Sequence, residues 1–160
     1  MITQSIIRLA TRADAADIAV MARDNIERGL PWTWNEARVA QVMRARDTNV
    51  AVIGEPGALV AFGIMSYRER DSHLLLFAVR PESQRRKVGS VLLGWLEGVA
   101  RDMGLERIRV ECRRDNHAAR NFYAEHAYHE LSIERRFYRG IADGVMLEKW
   151  LAATSPPAIS

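Results

Sequence analysis

The chain has 160 residues, of which 48% are hydrophobic and 27% charged, a composition typical of one ordinary soluble domain. The net charge of +3, from 23 Lys+Arg against 20 Asp+Glu, is too small to indicate a nucleic-acid partner. The single cysteine excludes an internal disulfide and a cysteine-rich metal site, and the four histidines lack a paired metal-binding spacing, so we expect no metal and a reducing, cytoplasmic location.

The first half of the chain predicts a strand, two helices and a β-hairpin. The longest apolar runs have the length of strands, which predicts no membrane span, and the N-terminal residues lack the order of a secretion signal. Alternating apolar residues around Glu55-Pro56-Gly57 are a strong hairpin signal. The predicted elements are a strand over 6–10, a helix over 14–29 that stops at Gly29, a helix over 35–46, and two hairpin strands within 49–67.

The second half predicts strands that alternate with helices. A helix from about Gly89 shows an apolar stripe of Leu92, Leu96, Val99 and Met103, with Gly104 as its C-cap. The other elements are strands over 73–79, 106–112, 127–137 and 144–151, and a short helix through His126 capped by Asp115 or Asn116. The order β, α, α, β, β, β, α, β, α, β, β predicts one α/β domain with a mixed sheet.

A basic loop joins the strand over 73–79 to the helix that begins near Gly89. Its cations are Arg85, Arg86 and Lys87. A short loop between a strand and a helix directs unpaired backbone N–H groups and the positive end of the helix dipole to one place, which suits a pyrophosphate. From these residues alone, a solvated basic loop is an equally good interpretation.

Two motifs together resemble the GNAT acetyltransferases. VRPESQRRKVGSVLL resembles the family's acetyl-CoA loop through Gln84, Val88 and Gly89, with Lys87 where a glycine is usual. DNHAARNFYAEHAY, residues 115–128, resembles the second family signature, N-x-x-A-x-x-F/L-Y-x-x-x-G-F/Y, with alanine where its glycine is common. The resemblance implies the GNAT fold over residues 6–151, a mixed and mostly antiparallel sheet of about seven strands with four helices. The composition of the last residues predicts a disordered tail over 152–160.

The same resemblance implies acetyl-CoA as the donor and direct attack of a primary amine on the thioester. It implies that the Tyr123 hydroxyl protonates the departing CoA thiolate as a general acid. It also implies main-chain contacts from the strand end and backbone N–H groups from the loop. The implied donor-binding residues are Phe77, Ala78, Val79, Gln84, Arg85, Arg86, Lys87, Val88, Gly89, Ser90, Asn116 and Tyr123.

The attacking amine must be neutral, so the reaction needs a base, and two residues compete for this role. Glu111 stands where RimI-like family members have their proposed base, and His73 opens the strand on which some lysine acetyltransferases carry a glutamate. As plain structural residues, Glu111 would be a charge on the strand face and His73 a turn residue. The choice between Glu111, His73 and a bound water stays open.

The acceptor is predicted from two further segments. GLPWTWNEARVAQVM and SIERRFYRGIADGVMLEKWL resemble segments of the RimI-type ribosomal-protein alanine N-acetyltransferases, which implies a peptide or protein α-amine as acceptor. Trp32, Trp34 and Tyr138 would either flank the acceptor cleft or pack the loop between the first two helices. The alternatives are a small amine (an amino acid, polyamine or aminoglycoside) and a non-catalytic CoA-binding module. No membrane partner is expected, and monomer and homodimer are both compatible with the sequence.

Overall fold

A computed structural model of the chain describes residues 6–84, 87–138 and 140–151. Its elements follow the predicted order, and among the described residues no helix is long and apolar enough to cross a bilayer. The predicted disordered tail lies outside the described residues. The strands and α-helices are β1 Ile7–Leu9, α1 Ala15–Asn25, α2 Glu36–Met43, β2 Thr48–Glu55, β3 Ala58–Arg68, β4 Asp71–Val79, α3 Val88–Asp102, β5 Arg107–Arg113, α4 His117–Glu125, β6 His129–Tyr138 and β7 Ala142–Trp150.

The strands form one seven-stranded sheet in the order β1-β2-β3-β4-β5-β7-β6. Strands β4 and β5 pair in parallel, while β1–β2, β2–β3, β5–β7 and β6–β7 are antiparallel. The predicted α/β fold with a mixed, mostly antiparallel sheet and four helices is thereby confirmed. The predicted hairpin is β2–β3, and its register shifts at Gly54, where φ is +113° and a Cβ would lie 2.7 Å from the Ala58 carbonyl oxygen.

The chain forms two compact units, and the first comprises residues up to Ser66 together with Leu75–Leu96. Its core lies between α1, α2 and strands β2 to β4. Ile18, Met21 and Ala22 recur at helical spacing on α1, and all are buried against this core. The core reaches from the start of α1 to Ala78, so the end of β4 is packed into it.

The second unit comprises Tyr67–Leu74 and the chain from Glu97 onwards. Along β5 the side chains alternate between buried and half-buried, as the sequence pattern predicts. Ile108, Val110 and Cys112 are buried, whereas Arg109 and Glu111 lie on the other face of the sheet. This alternation brings the charged residues of β5 to a single sheet face.

The apolar stripe predicted for α3 is wrong at its last position, because Met103 is 56% exposed. The helix ends at Asp102, and the Gly104 N–H donates to the Arg101 carbonyl while Leu105 N–H donates to the carbonyl of Ala100. Gly104 has φ +76°, the left-handed conformation of a C-cap. Leu105 is therefore the buried apolar residue at this helix end, and the sequence pattern did not distinguish it from Met103.

Candidate active site

The two rival bases, His73 and Glu111, form one hydrogen-bonded pair in the second unit. In the parallel register of β4 and β5, His73 lies beside Arg109, so Glu111 is the next residue along on the same face. His73 Nε2 lies 2.5 Å from Glu111 Oε2. The histidine side chain is 41% exposed and the glutamate side chain 10%. When the carboxylate is ionised it can only accept, so Nε2 is then the donor, and the carboxylate is placed to orient the ring and stabilise an imidazolium.

Tyr123 lies on α4, whose first turn is set by Asn116. The Asn116 side-chain oxygen accepts a hydrogen bond of 3.0 Å from the Ala119 N–H. Of the two predicted caps, Asn116 is therefore the one that forms. Asp115 instead pairs with Arg113, at 3.1 Å from its Nε, which lowers the pKa of the Asp115 carboxyl.

The end of α4 shows why glycine is usual at the position of Ala127 in the second motif. Ala127 has φ +69°, and the Tyr128 N–H donates to the Tyr123 carbonyl at 3.0 Å. This is the left-handed helix end that glycine favours, because only glycine adopts it without steric cost. Alanine preserves the helix ending at a cost of roughly 1–2 kcal/mol.

The Tyr123 side chain is buried among aromatic rings. Its ring centroid lies 5.4 Å from that of Phe122 and 5.5 Å from that of Tyr128, both edge-on. Burial raises the pKa of the Tyr123 hydroxyl above its usual value, and the neighbouring Cys112 acts in the same direction. Burial likewise raises the pKa of the Cys112 thiol to about 11. Tyr123 thus stays a protonated donor at neutral pH, as a general acid requires.

The Tyr128 ring, which packs against Tyr123, is held in place by a buried network of hydrogen bonds and an ion pair. The Tyr128 hydroxyl donates to Glu97 Oε2 at 2.8 Å, and Lys149 Nζ donates to both oxygens of Glu97 at 3.0 and 3.1 Å. Glu97 and Tyr128 are both buried. This network was not predicted from the sequence, although a glutamate at position 97, inside the apolar face of a helix, is a signal that could have indicated a buried partner.

In the first unit, the predicted donor-binding loop starts from an anchored strand end. The Arg80 N–H donates to the Val60 carbonyl at 2.9 Å, and Arg80 Nη2 lies 2.8 Å from Asp17 Oδ1. The Gln84 side chain donates to the Val79 carbonyl at 3.0 Å. Arg80 and Asp17 were not predicted from the sequence, because nothing local links residues 63 positions apart.

The loop enters α3 through Lys87, which has φ +61°. This is the positive φ that glycine would adopt freely, so the lysine costs roughly 1–2 kcal/mol there. The Lys87 carbonyl accepts from the Val91 N–H at 3.1 Å and so begins the hydrogen bonding of the helix. Lys87 itself is exposed, Val88 and Gly89 are buried, and Arg85 and Arg86 lie outside the described residues.

The segment between α1 and α2 is organised by Glu27. Its buried carboxylate accepts from the Thr33 N–H at 2.9 Å, the Thr33 hydroxyl at 2.5 Å and the Trp34 N–H at 2.8 Å. Trp34 is buried in the core of the first unit, with the Arg38 guanidinium 3.8 Å from its ring centroid, whereas Trp32 is exposed. Trp34 therefore packs the loop. Of the two tryptophans, Trp32 keeps a surface that a ligand could reach.

The chain is similar to known proteins both in sequence and in fold. The family model described as "Acetyltransferase (GNAT) family" matches residues 19–128. The [ribosomal protein bS18]-alanine N-acetyltransferase of Escherichia coli K12 is 28% identical over 112 residues, which cover 70% of this chain and 75% of that enzyme.

Two solved structures show the same fold. Ard1 from Thermoplasma volcanium has a TM-score of 0.77 at 22% identity, covering 91% of this chain and 96% of that one. The PaiA N-acetyltransferase from Thermoplasma acidophilum, solved in complex with coenzyme A, has a TM-score of 0.75 at 16% identity, covering 91% and 98%.

Proposed function

Because the chain belongs to the GNAT family of acetyltransferases, we propose that it transfers an acetyl group from acetyl-CoA to the α-amine of a peptide or protein N-terminus. The observation that carries this proposal is the His73–Glu111 pair, which stands in the same unit as the buried, protonated Tyr123. An amine acetyltransferase needs a base for the ammonium and an acid for the thiolate. The similar E. coli enzyme is named as an alanine N-acetyltransferase of ribosomal protein bS18, which favours a protein or peptide acceptor.

The base is needed because the acceptor is mostly protonated at neutral pH. A peptide α-amine with a pKa of about 8 is roughly 10% neutral at pH 7, whereas a lysine side chain is well below 1% neutral. We assign the acceptor's proton to the His73–Glu111 pair, which holds it as an imidazolium stabilised by the carboxylate. An α-amine therefore needs less help from a base than a lysine side chain does, which agrees with the proposed acceptor.

The acid completes the transfer. The neutral amine attacks the thioester carbonyl carbon and the C–N bond forms. As the C–S bond breaks, the nitrogen releases one of its two protons to solvent and becomes the amide N–H. The Tyr123 hydroxyl gives its proton to the departing sulfur and is reprotonated from solvent. Because burial raises the pKa of Tyr123, the hydroxyl is fully protonated before each turnover.

For the donor, we assign the phosphates to the loop over residues 84–90 at the start of α3. The backbone N–H groups at a helix start, the partial positive charge of the helix dipole and the exposed Lys87 all favour an anion. The proposed roles of Phe77, Ala78 and Val79, through their main chain, and of Asn116 beside the thioester arm complete this assignment. Acetyl-CoA supplies the activated acyl group.

An acceptor panel tests the function. The purified protein is incubated with acetyl-CoA and one of two acceptor sets. The first set consists of lysine-free peptides with free N-termini, and the second of small amines, including amino acids, polyamines and aminoglycosides. CoA release is followed, and the acetyl group is located by mass spectrometry. Acetylation of peptide α-amines supports the proposal. Transfer confined to small amines refutes the peptide acceptor, and acetyl-CoA binding without transfer to any acceptor, unchanged by Tyr123→Phe, would favour a binding module.

A further inference from the structure

A second charged side chain, Arg109, shares the sheet face of the His73–Glu111 pair. Arg109 precedes Glu111 by two residues on β5, so both side chains point to the same face. In the strand register its neighbours are His73 on β4 and Glu148 on β7. The proposed base is therefore bordered by a permanent cation on the same face.

The three arginines that β5 places on this face, Arg107, Arg109 and Arg113, differ in how they are bound. Arg113 donates to both carboxylate oxygens of Asp115 at 3.1 Å. Arg107 donates to Asp71 at 2.8 and 3.2 Å and to Glu148 at 3.2 Å, and its guanidinium lies 5.3 Å from the Trp150 ring centroid. Arg109 reaches Glu148 only at 3.9 Å, beyond hydrogen-bond distance.

The side chain of Arg109 is accessible although part of it is buried. It is 39% exposed, while its buried Nε has no hydrogen-bond partner among the described residues. The Glu148 carboxylate is already shared with Arg107 and with the Trp150 indole N–H, which donates at 3.0 Å. Arg109 is thus the arginine of this face that retains donors for a ligand.

Resting on the proposed function, we propose that Arg109 binds a carboxylate of the acceptor, so that the enzyme favours N-termini with an acidic residue directly after the first one. A cation beside the base repels a protonated amine, and this repulsion is relieved when the acceptor carries its own negative charge. The face presents a positive group at Arg109 and a negative one at Glu111, about 7 Å apart along the strand. An α-amine and an acidic side chain at the second position span a comparable distance.

The test uses lysine-free peptides that differ only at the second position, Asp against the isosteric Asn. Transfer rates and equilibrium binding are both measured, the latter by fluorescence anisotropy on protein loaded with CoA. In the natural protein the Asp peptide is expected to bind and react about tenfold better, the value of one charge-assisted hydrogen bond. Arg109→Gln should bring the ratio to about one, and Arg109→Glu should disfavour the Asp peptide. Arg70→Gln makes the same charge change at a side chain that is 81% exposed, and should keep the ratio.

The two measurements separate this inference from the proposed function. Transfer to both peptides at equal rates, with equal binding, overturns the role of Arg109 and leaves the peptide acceptor intact. A binding preference that Arg109→Gln removes, without transfer to either peptide, supports the subsite and refutes the proposed function. A preference that survives Arg109→Gln overturns the assignment. If the variants do not fold, salt decides in the natural protein, because a ratio that does not shrink between 50 and 500 mM NaCl excludes an ionic contact.

Discussion

The exchange of two buried tyrosines for phenylalanine separates the proposed chemistry from the packing around it. Tyr123 and Tyr128 lie with their rings 5.5 Å apart, and both are buried. We expect Tyr123→Phe to lower kcat by about 10²–10⁴, the usual contribution of a general acid, while the ring and its contacts are kept. The change in the midpoint of thermal unfolding should be within about 2 °C.

Tyr128→Phe is the matched control and should behave in the opposite way. Its hydroxyl donates at 2.8 Å to the buried Glu97 carboxylate, which keeps its contacts with Lys149. Loss of a hydrogen bond to a charged group costs roughly 1.5–3 kcal/mol. At about 2–4 °C per kcal/mol in a domain of this size, the unfolding midpoint should fall by about 3–12 °C. The kcat measured well below this midpoint should stay within about threefold of the natural value, because the acid is untouched.

The unfolding midpoint is measured by circular dichroism during thermal unfolding. The rate of acetyl transfer is measured by single-turnover kinetics with one peptide acceptor. An active Tyr123→Phe protein, or a loss of kcat as large in Tyr128→Phe as in Tyr123→Phe, would refute the assignment of the acid. The pH dependence adds an independent check. Because burial raises the pKa of Tyr123, kcat should not fall through loss of this proton below about pH 10, the usual tyrosine value.

Five further single variants and one double variant test the base, the donor site and the scaffold. Glu111→Gln and His73→Gln should each lower kcat/KM at pH 7 by about 10²–10⁴. The double variant should be no less active than the poorer single variant, because a pair that acts as a unit is lost only once. Additive losses would contradict the assignment of the pair as one base. Gly89→Asp should raise the dissociation constant of acetyl-CoA by more than about 100-fold in isothermal titration, because it places a carboxylate at the start of α3. Normal acetyl-CoA binding by the folded variant would rule out this loop as the phosphate site. Ala127→Gly should raise the unfolding midpoint by about 1–4 °C, because relief of a φ of +69° exceeds the added chain entropy by roughly 0.5–1 kcal/mol, and a lower midpoint would contradict this. Gly63→Ala should lower the midpoint by about 2–12 °C, because the new Cβ would lie 2.7 Å from Leu96 Cδ1 and 3.2 Å from Phe77 Cδ2; an unchanged midpoint would show that these side chains move freely.

Much of the fold could be predicted because its signals are local. The alternation along β5, the turn between β2 and β3, the Asn116 cap and the glycine at position 104 each depend on residues within one or two turns of chain. The failure at Met103 has the same origin. A helical pattern identifies the apolar face, but it does not fix where the helix ends. Because α3 ends at Asp102, Met103 is exposed and Leu105 is the buried residue that follows the helix.

The candidate site depended on contacts between distant parts of the chain. The sequence motifs predicted Tyr123 as the general acid, and His73 and Glu111 as alternative candidates for the base. They lie 38 residues apart, and only the parallel register of β4 and β5 brings the imidazole to the carboxylate. Arg109 could not be distinguished from Arg107 by pattern either, since both alternate onto the same face.

Local patterns were enough to predict the elements, their order and the residue types of the chemistry, because periodicity and helix caps depend on the backbone within a few residues. Which polar groups pair, and which remain available, depends on how the strands are arranged in the folded sheet. A charge on a strand face is satisfied across the sheet, by the neighbours that strand order and register supply. Arg107 found Asp71 and Glu148, whereas Arg109, one alternation further along β5, reached Glu148 only at 3.9 Å.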